Sequence, residues 1–575
     1  MSPHAQPADR LPPVLRWAAR LLWLLAVALA ACGEGGGEQA PAPGTSAAPA
    51  EPLVVGSEGY VPPEAMDLLR SEAERAGLRI DFQPGSGALT LTSHEVPDGE
   101  PIFARYWVPV VGPFRPLQEL STPQLLAMAT GHLSDWSALT GEGGPLGLLL
   151  PEEYAEELAA LLKIPLTRAP QEGPVDLKPL REIPSLVIED QSALALLPAD
   201  AVDARLRSLA VDGTNAVTGR GDLHAYPLAT RTWVRGESEA SLAPELASAR
   251  DEIIASLNSR RAAPTGQPIR LLFTGDIVPA RCVYARHLAY GDFRHAFLEL
   301  GPLLRGADIT VGSLDASLSD AGEPMGCVPT YNLLAPPESV EGLAFVGFDL
   351  LTLATNHAKD CGSPRSACDE ALLDTIANLR AADIAAVGAG SDLLEARKPA
   401  IISVRGTRFA FLGYDDIALY YHADEGSPGT APLEASFLRE DIARARQVAD
   451  VVVVLPHWGT EYISVPTERQ RELARIAIEA GATLIVGNHP HWPQAVEYFE
   501  RAFVAYALGN FVFDQDWSLE TQQGVVLEAV FQGSRLTSVD LVPIHILDMH
   551  QPTLAPAEEA GEVLRRIREA SGRPQ

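Results

Sequence analysis

The sequence predicts an α/β protein, and two observations carry that expectation. Through residues 268–547, short apolar runs alternate with helix-sized amphipathic stretches, the pattern of parallel strands joined by crossover helices. Four of these runs also end alike. RLLFTGD ends at Asp276, and DLLTLATNH ends at Asn356 and His357. VVVVLPHWGTEY carries His457 and Glu461, and ATLIVGNHPHWP carries His489 and His491. Ligands in open α/β sheets bind just past the carboxyl ends of strands, so these residues are expected on one rim.

Strand-like runs are expected at 270–275, 308–314, 349–355, 384–388, 450–455 and 482–487, with helices over 364–381, 433–449 and 467–480. The pattern then changes. The runs at 495–499, 502–507, 524–531 and 535–542 are joined by short turns, which predicts antiparallel sheet and hence a mixed, two-sheet sandwich. A short helix over 561–568 and a loose tail complete 548–575.

The chain ahead of this block, residues 52–258, reads as a separate α/β domain. PLVVGSEGY is strand-like, 63–76 has helical spacing at Met66, Leu68, Leu69 and Ala73, and LRIDFQPG is a second strand. Ser121 is placed to cap a helix that has Pro123 in its first turn and Gly131 beyond its end. A helical pattern over 241–263 breaks at APTG, which sets the domain boundary.

The extreme N-terminus reads as a targeting segment. Arg10, Arg16 and Arg20 precede an apolar run, 21–31, too short for a comfortable bilayer span and suited to a secretory signal. Its end, Leu29-Ala30-Ala31-Cys32-Gly33, resembles a bacterial lipobox, which implies lipidation of Cys32, a membrane anchor and an exported protein. Residues 32–51 lack large apolar side chains and read as a tether. A net charge of −31 with no basic block excludes a nucleic-acid partner. In an oxidising compartment the remaining cysteines can form disulfides. Cys361 with Cys368 would close a small loop and leave Cys282 with Cys327; a thiol zinc site is the rival reading.

Asp315 also follows a strand-like run, ITVGSL. Carboxylate, amide oxygen and imidazole together suit Mn, Fe(II) or Zn, and several such groups on one rim can hold two divalent ions, as in two-metal hydrolysis of phosphoryl compounds.

Two resemblances add to these readings. Val108-Pro109-Val110-Val111, Leu120-Ser121, Gln124-Leu125 and the turn 131–136 resemble phosphate- and molybdate-type periplasmic binding proteins. That likeness implies a helix at QSALALL ahead of a crossing strand, and a returning strand at Tyr226-Pro227-Leu228; Gly85-Ser86-Gly87 is a candidate anion loop or a plain turn.

The later block resembles the CapA family of poly-γ-glutamate capsule biosynthesis proteins, across nearly all of 268–547. The motifs are Thr274-Gly275-Asp276 with Arg281, 312–315, 354–357 with Asp360 and Gly362, and 387–390 with Glu395-Ala396. They continue with His457-Trp458-Gly459 plus Glu461-Tyr462, 487–491 with Gln494, and YALGNFVFD at 506–514. The resemblance implies a calcineurin-like metallophosphatase sandwich. Asp276, Asp315, Asn356, His457, His489 and His491 would be metal ligands, and His357 would be catalytic. Glu461 would orient His457 or a water, while Arg281 and Asn510 would contact substrate. Three positions depart from the family pattern: Asp315 stands for Glu, Thr355 for Asn and Asn488 for His. The expected function is a metal-dependent hydrolase or transferase in capsule or envelope-polymer synthesis, export or anchoring. Its partners would be an anionic polymer and capsule-synthesis proteins. The alternative is a solute-binding or scaffold lipoprotein with a degenerate metal site.

Overall fold

The computed structural model describes residues 52–572, apart from 77, 97–100, 142, 166–174, 191, 237–243, 260–266 and 500. The signal-like run, Cys32 and the whole tether lie outside the described residues. Among the described residues no helix is long and apolar enough to cross a membrane.

The first region is built on one mixed sheet. Its strands run in the order Ile80–Pro84, Leu53–Glu58, Leu89–Thr92, Ala229–Gly236, Phe103–Val111, Ala193–Pro198, Gly147–Pro151 and Val175–Lys178. Phe103–Val111 and Ala229–Gly236 pair antiparallel at the centre and join the two halves. The 63–76 helix forms as Pro63–Arg75. Ser121 caps Thr122–Ala129 through a reciprocal box: its hydroxyl accepts from the Gln124 N–H, and the Gln124 side chain accepts from the Ser121 N–H. The helix expected at QSALALL is corrected. Ala193–Pro198 is a strand with every residue buried, and the helix precedes it at Ile183–Glu189. A short, continuous apolar run covered on both faces has no period that tells strand from helix.

The second region is a sandwich of two sheets. The first sheet runs Ala385–Val387, Leu350–Thr352, Ile309–Leu314, Ile269–Ile277, Gln523–Gln532, Arg535–Leu547 and Gln551–Leu554, with Asn510–Val512 alongside the end of Ile269–Ile277. The second runs Ala400–Val404, Thr407–Asp415, Val451–His457, Leu484–Val486, Phe503–Ala505 and Val496–Tyr498. Side-chain alternation builds the layers. Leu271 and Phe273 meet Val451, Val453 and Phe411 between the sheets. Leu272 turns the other way, into a cluster with Leu304, Leu343 and Leu379. Val452 and Val454 pack outward with Leu438, Ile442 and Leu473. The result is helix, sheet, sheet, helix. Phe409 meets Phe531 edge-on at 5.3 Å in the central layer. Truncating such a ring to alanine costs about 3–5 kcal/mol.

Several elements differ from the sequence-based expectation. Thr407–Asp415, a central strand, has no counterpart in it; the strand is reached from Ala400–Val404 through Arg405 and Gly406, both at positive φ. Phe503–Ala505 pairs antiparallel with Val496–Tyr498, as expected, but also parallel with Leu484–Val486. The C-terminal stretch is more than a short helix and tail. Gln551–Leu554 adds an edge strand, and Ala557–Ser571 buries Val563, Leu564 and Ile567 in the layer between the sheets.

The four cysteines form two disulfides, Cys282–Cys327 and Cys361–Cys368, which removes the thiol zinc reading.

Candidate metal centre

The strand ends of the sandwich converge because two loops touch backbone to backbone. A Cβ at Gly275 would lie 2.0 Å from the Gly509 carbonyl oxygen, so only glycine permits the approach. The contact sets Asn510 beside Asp276 in parallel register.

Asp276 is fully buried and organises one side of the rim. One carboxylate oxygen accepts from the Ser313 hydroxyl at 3.1 Å. The other accepts from the His489 backbone N–H at 3.2 Å and lies 3.2 Å from His491 Nδ1. His491 Nδ1 is also 3.0 Å from Asn510 Oδ1. Both neighbours are acceptors, so Nδ1 carries the proton and Nε2 is left with a free lone pair.

Across the rim, His457 Nε2 lies 2.7 Å from Asn356 Oδ1 and 3.8 Å from an oxygen of Asp315. Its Nδ1 is 3.9 Å from Asp276. The rings of His457 and His489 sit 4.8 Å apart. His357 stands beside them, its Nδ1 2.6 Å from Asp360. Asp360 is itself fixed by the Leu333 N–H at 2.6 Å and the Tyr421 hydroxyl at 3.3 Å.

Four of the residues expected here are placed differently. The Asn356 amide oxygen, expected on a metal, accepts a hydrogen bond from His457. Asn510, expected against substrate, is completely buried, and its amide nitrogen donates to Gln515 and to the Thr521 carbonyl; it orients His491 from behind. Arg281 is held by the Asp514 carboxylate through Nε and Nη2 and by the Thr330 carbonyl through Nη1, so its charge is spent within the protein. Glu461 groups with His489 and His491 rather than with His457: one ligand atom from each of the three lies within 4.8 Å of the others. Asp276, Asp315, His357, His457, His489 and His491 do come together.

Ser313, Asp360 and Tyr421 carry positioning roles that the sequence reading does not assign. Asp360 had a visible signal, standing three residues after His357; Tyr421 had none, since it arrives from the far sheet. Thr355 and Asn488, two of the departures, shape the rim. The Thr355 hydroxyl accepts from the His357 N–H at 3.4 Å, and the Asn488 backbone ties Pro456 to Trp458.

The rim is electrostatically poised. Burial drives His457 and His489 well below the usual histidine range, with neighbouring histidines adding to the effect, so both are neutral imidazoles. Burial opposes charge on His357 too, but the Asp315 carboxylate and the Asp360 hydrogen bond outweigh it and raise His357 to about 9. His491 is likewise raised: the Asp276 hydrogen bond and charge overcome burial. Burial raises the Asp315 carboxyl.

The donor set fits divalent ions on an observation independent of motif. Both oxygens of Asp315, Nδ1 of His457, Nδ1 of His489 and Oδ1 of Asn488 are buried without a hydrogen-bond partner. An unpaired buried polar group costs about 1–3 kcal/mol, and native proteins carry few of them. Five such atoms at one strand-end rim are of the nitrogen and oxygen types that suit a divalent cation. Backbone strain concentrates there too: Arg281, Tyr462, His489 and His491 have φ of 51°, 61°, 97° and 59°. Such conformations cost about 1–3 kcal/mol each and cluster at functional sites.

Fold and rim together define a two-sheet α/β protein with a buried carboxylate–imidazole centre. Residues 270–515 match the family described as bacterial capsule synthesis protein PGA_cap. The capsule biosynthesis protein CapA of Bacillus anthracis is 30% identical over 325 residues, which cover 55% of this chain and 76% of that one. The PGA biosynthesis protein CapA of Bacillus subtilis is 32% identical over 290 residues, covering 50% of this chain and 73% of that one. The chain belongs to this family of bacterial capsule synthesis proteins. Among solved structures, a phosphate transport receptor from Vibrio cholerae overlaps 36% of the chain and 94% of its own length at 14% identity and a TM-score of 0.29. A 5'-nucleotidase precursor from Thermus thermophilus overlaps 52% of the chain and 58% of its own length at 15% identity and a TM-score of 0.30. The family assignment does not lean on either.

Proposed function

We propose that the chain is a metal-dependent hydrolase or transferase of polyglutamate-capsule or related envelope-polymer synthesis, export or anchoring. It would work with capsule-synthesis proteins and be held at the membrane through Cys32. The observation that carries the reading is the set of unpartnered donors on Asp315, His457 and His489. Asp276, Asp315, His457, His489 and His491 would hold two ions, Mn, Fe or Zn. Bound there, the ions would polarise the oxygen of a phosphoester or amide and stabilise developing charge.

The chain's own groups supply the rest. His357, protonated at neutral pH and aimed by Asp360, gives its proton to the leaving group. Asn510 fixes the His491 tautomer, and Ser313 and the His489 N–H fix Asp276, so the ligand set is held before substrate arrives. Glu461, exposed beside His489 and His491, would accept a proton from the attacking group.

The test is elemental analysis of the purified full chain beside its hydrolysis of a bis-nitrophenyl phosphodiester and of poly-γ-glutamate. Stoichiometric Mn, Fe or Zn, lost together with hydrolysis in His489→Ala/His491→Ala, is the expected result. A protein that takes up no metal and cleaves neither compound sinks the proposal.

A further inference from the structure

The candidate metal ligands and the candidate proton donor are held by different means. Asp276 and His457 lie at strand ends, and Asp315 directly follows Ile309–Leu314. His489 and His491 are tied to Asp276 and Asn510. His357 stands on irregular chain. Residues 353–368, which carry it, and 319–333, which face them, contain isolated bridges but no helix or strand.

These two segments interlock. Glu323 and Ser363 exchange backbone hydrogen bonds at 3.2 Å, and a Cβ at Gly322 would lie 2.1 Å from the Cys361 carbonyl oxygen. The Asn332 side chain donates to the Gly362 and Ser366 carbonyls and accepts from the Gly362 N–H. The Leu333 N–H then donates to the same Asp360 oxygen that holds His357 Nδ1, at 2.6 Å in each case.

A disulfide fastens each segment. Cys361 follows Asp360 in the chain, and its bond to Cys368 closes a turn in which the Cys368 N–H donates to the Lys359 carbonyl at 3.0 Å. Cys327 lies in the facing segment and is bonded to Cys282, whose N–H donates to Asp514 at 3.0 Å. Arg281, next to Cys282, reaches the same segment through the Thr330 carbonyl. Cys327 is exposed and Cys368 half-buried, so both bonds lie within reach of a soluble reductant. Hydrogen bonds between surface loops compete with water and contribute little net, whereas a disulfide removes conformations from the open loop outright. With the sulfurs separated, Leu333 and Asp360 would sit on two loops joined only by bonds that water can replace.

We propose that Cys282–Cys327 and Cys361–Cys368 form a redox-sensitive brace on the proton donor. Oxidised, they keep Asp360 aimed at His357. Reduced, the chain keeps its metal ligands and loses that aim. Each bond takes up two electrons and two protons. With a tertiary phosphine as reductant, phosphorus attacks one sulfur and the S–S bond breaks; water then supplies the oxygen of the phosphine oxide and the protons of the two thiols. The inference rests on the reading of His357 as proton donor and adds how that site is regulated. An exported chain would become competent in an oxidising compartment, where its disulfides form.

The experiment follows the purified full chain before reduction by tris(carboxyethyl)phosphine, after it, and after reoxidation. Hydrogen exchange, elemental analysis and hydrolysis of two phosphodiesters, one with nitrophenyl and one with phenyl leaving groups, are measured in each state. Cys282→Ser/Cys327→Ser and Cys361→Ser/Cys368→Ser are run beside it. On reduction, exchange across 320–335 and 355–370 should rise about tenfold or more, while 484–494 and the metal content stay native. Phenyl ester hydrolysis should fall about 10–100-fold and nitrophenyl ester hydrolysis far less, since a good leaving group needs no proton. Reoxidation should restore both. Native protection across 320–335 and 355–370 after reduction overturns the inference, as does equal slowing of the two esters. Opening of 484–494 with loss of metal also overturns it, since the bonds would then hold the whole centre. A chain that cleaves neither ester in any state fails the reaction reading, and hydrogen exchange alone then decides the brace.

Discussion

The two regions of this chain treat buried charge in opposite ways. In the first, Arg105 bridges Glu157 and Glu64 at 2.5 and 2.6 Å, and its guanidinium lies 4.5 Å from the centre of the Tyr154 ring. Trp107 donates to the same Glu157, which is almost wholly buried. Both oxygens of Glu157 have partners, and the knot ties the helices Pro63–Arg75 and Ala155–Leu162 to the central strand Phe103–Val111. In the second region the carboxylate oxygens of Asp315, equally buried, lack a partner at hydrogen-bonding distance, and two histidines near it each leave a nitrogen unpaired. A satisfied buried carboxylate is architecture. An unsatisfied one among lone-pair donors is an arrangement that a cation would satisfy.

That contrast can be broken most visibly at the rim. His489→Ala/His491→Ala should lower hydrolysis by about a thousandfold or more and abolish metal uptake, with unfolding in the metal-free state changed by no more than about 1–2 kcal/mol. Paired activity assays and denaturant melts read both. Next in size is the satisfied knot. Glu157→Ala leaves Arg105 only the half-exposed Glu64 and should cost about 3 kcal/mol of stability in urea unfolding while metal content stays native. A loss of metal there would show the two regions to be coupled.

Smaller effects sharpen the boundary between holding and reacting. Asp360→Asn keeps shape but weakens the grip on His357, and should lower turnover about 10–100-fold with little change in bound metal. The deficit should shrink for esters with good leaving groups, which need no proton. Ser121→Ala, which removes the capping box of the first region, should cost about 1 kcal/mol in thermal or urea unfolding and leave hydrolysis untouched.

Much of this was legible in the sequence, for identifiable reasons. Val451–His457 and Ile269–Ile277 were readable because apolar strands buried on both faces leave continuous hydrophobic runs that stop at the rim. Ser121 was readable because a cap acts on residues three positions away. Thr407–Asp415 was missed because Arg408 interrupts its apolar run, although the Arg405-Gly406 turn before it marked a hairpin. Ala193–Pro198 was misread because a six-residue apolar run has no diagnostic period. At the rim, side-chain chemistry was legible and pairing was not. Nothing local reveals that Asn356 accepts from His457, 101 positions later, or that Arg281 is held by Asp514, 233 positions away.

The contrast itself reduces to a sign. In protein stripped of metal, Asp315→Asn replaces a carboxylate whose charge burial disfavours with a neutral group of the same shape, and Glu157→Gln weakens a satisfied ion pair. Urea unfolding of the two variants beside the native chain is the direct measurement. Asp315→Asn should stabilise the stripped protein by about 1 kcal/mol or more while losing metal affinity, and Glu157→Gln should destabilise it. If Asp315→Asn instead destabilises the stripped protein as Glu157→Gln does, Asp315 is an ordinary structural carboxylate and the cation-site account is wrong.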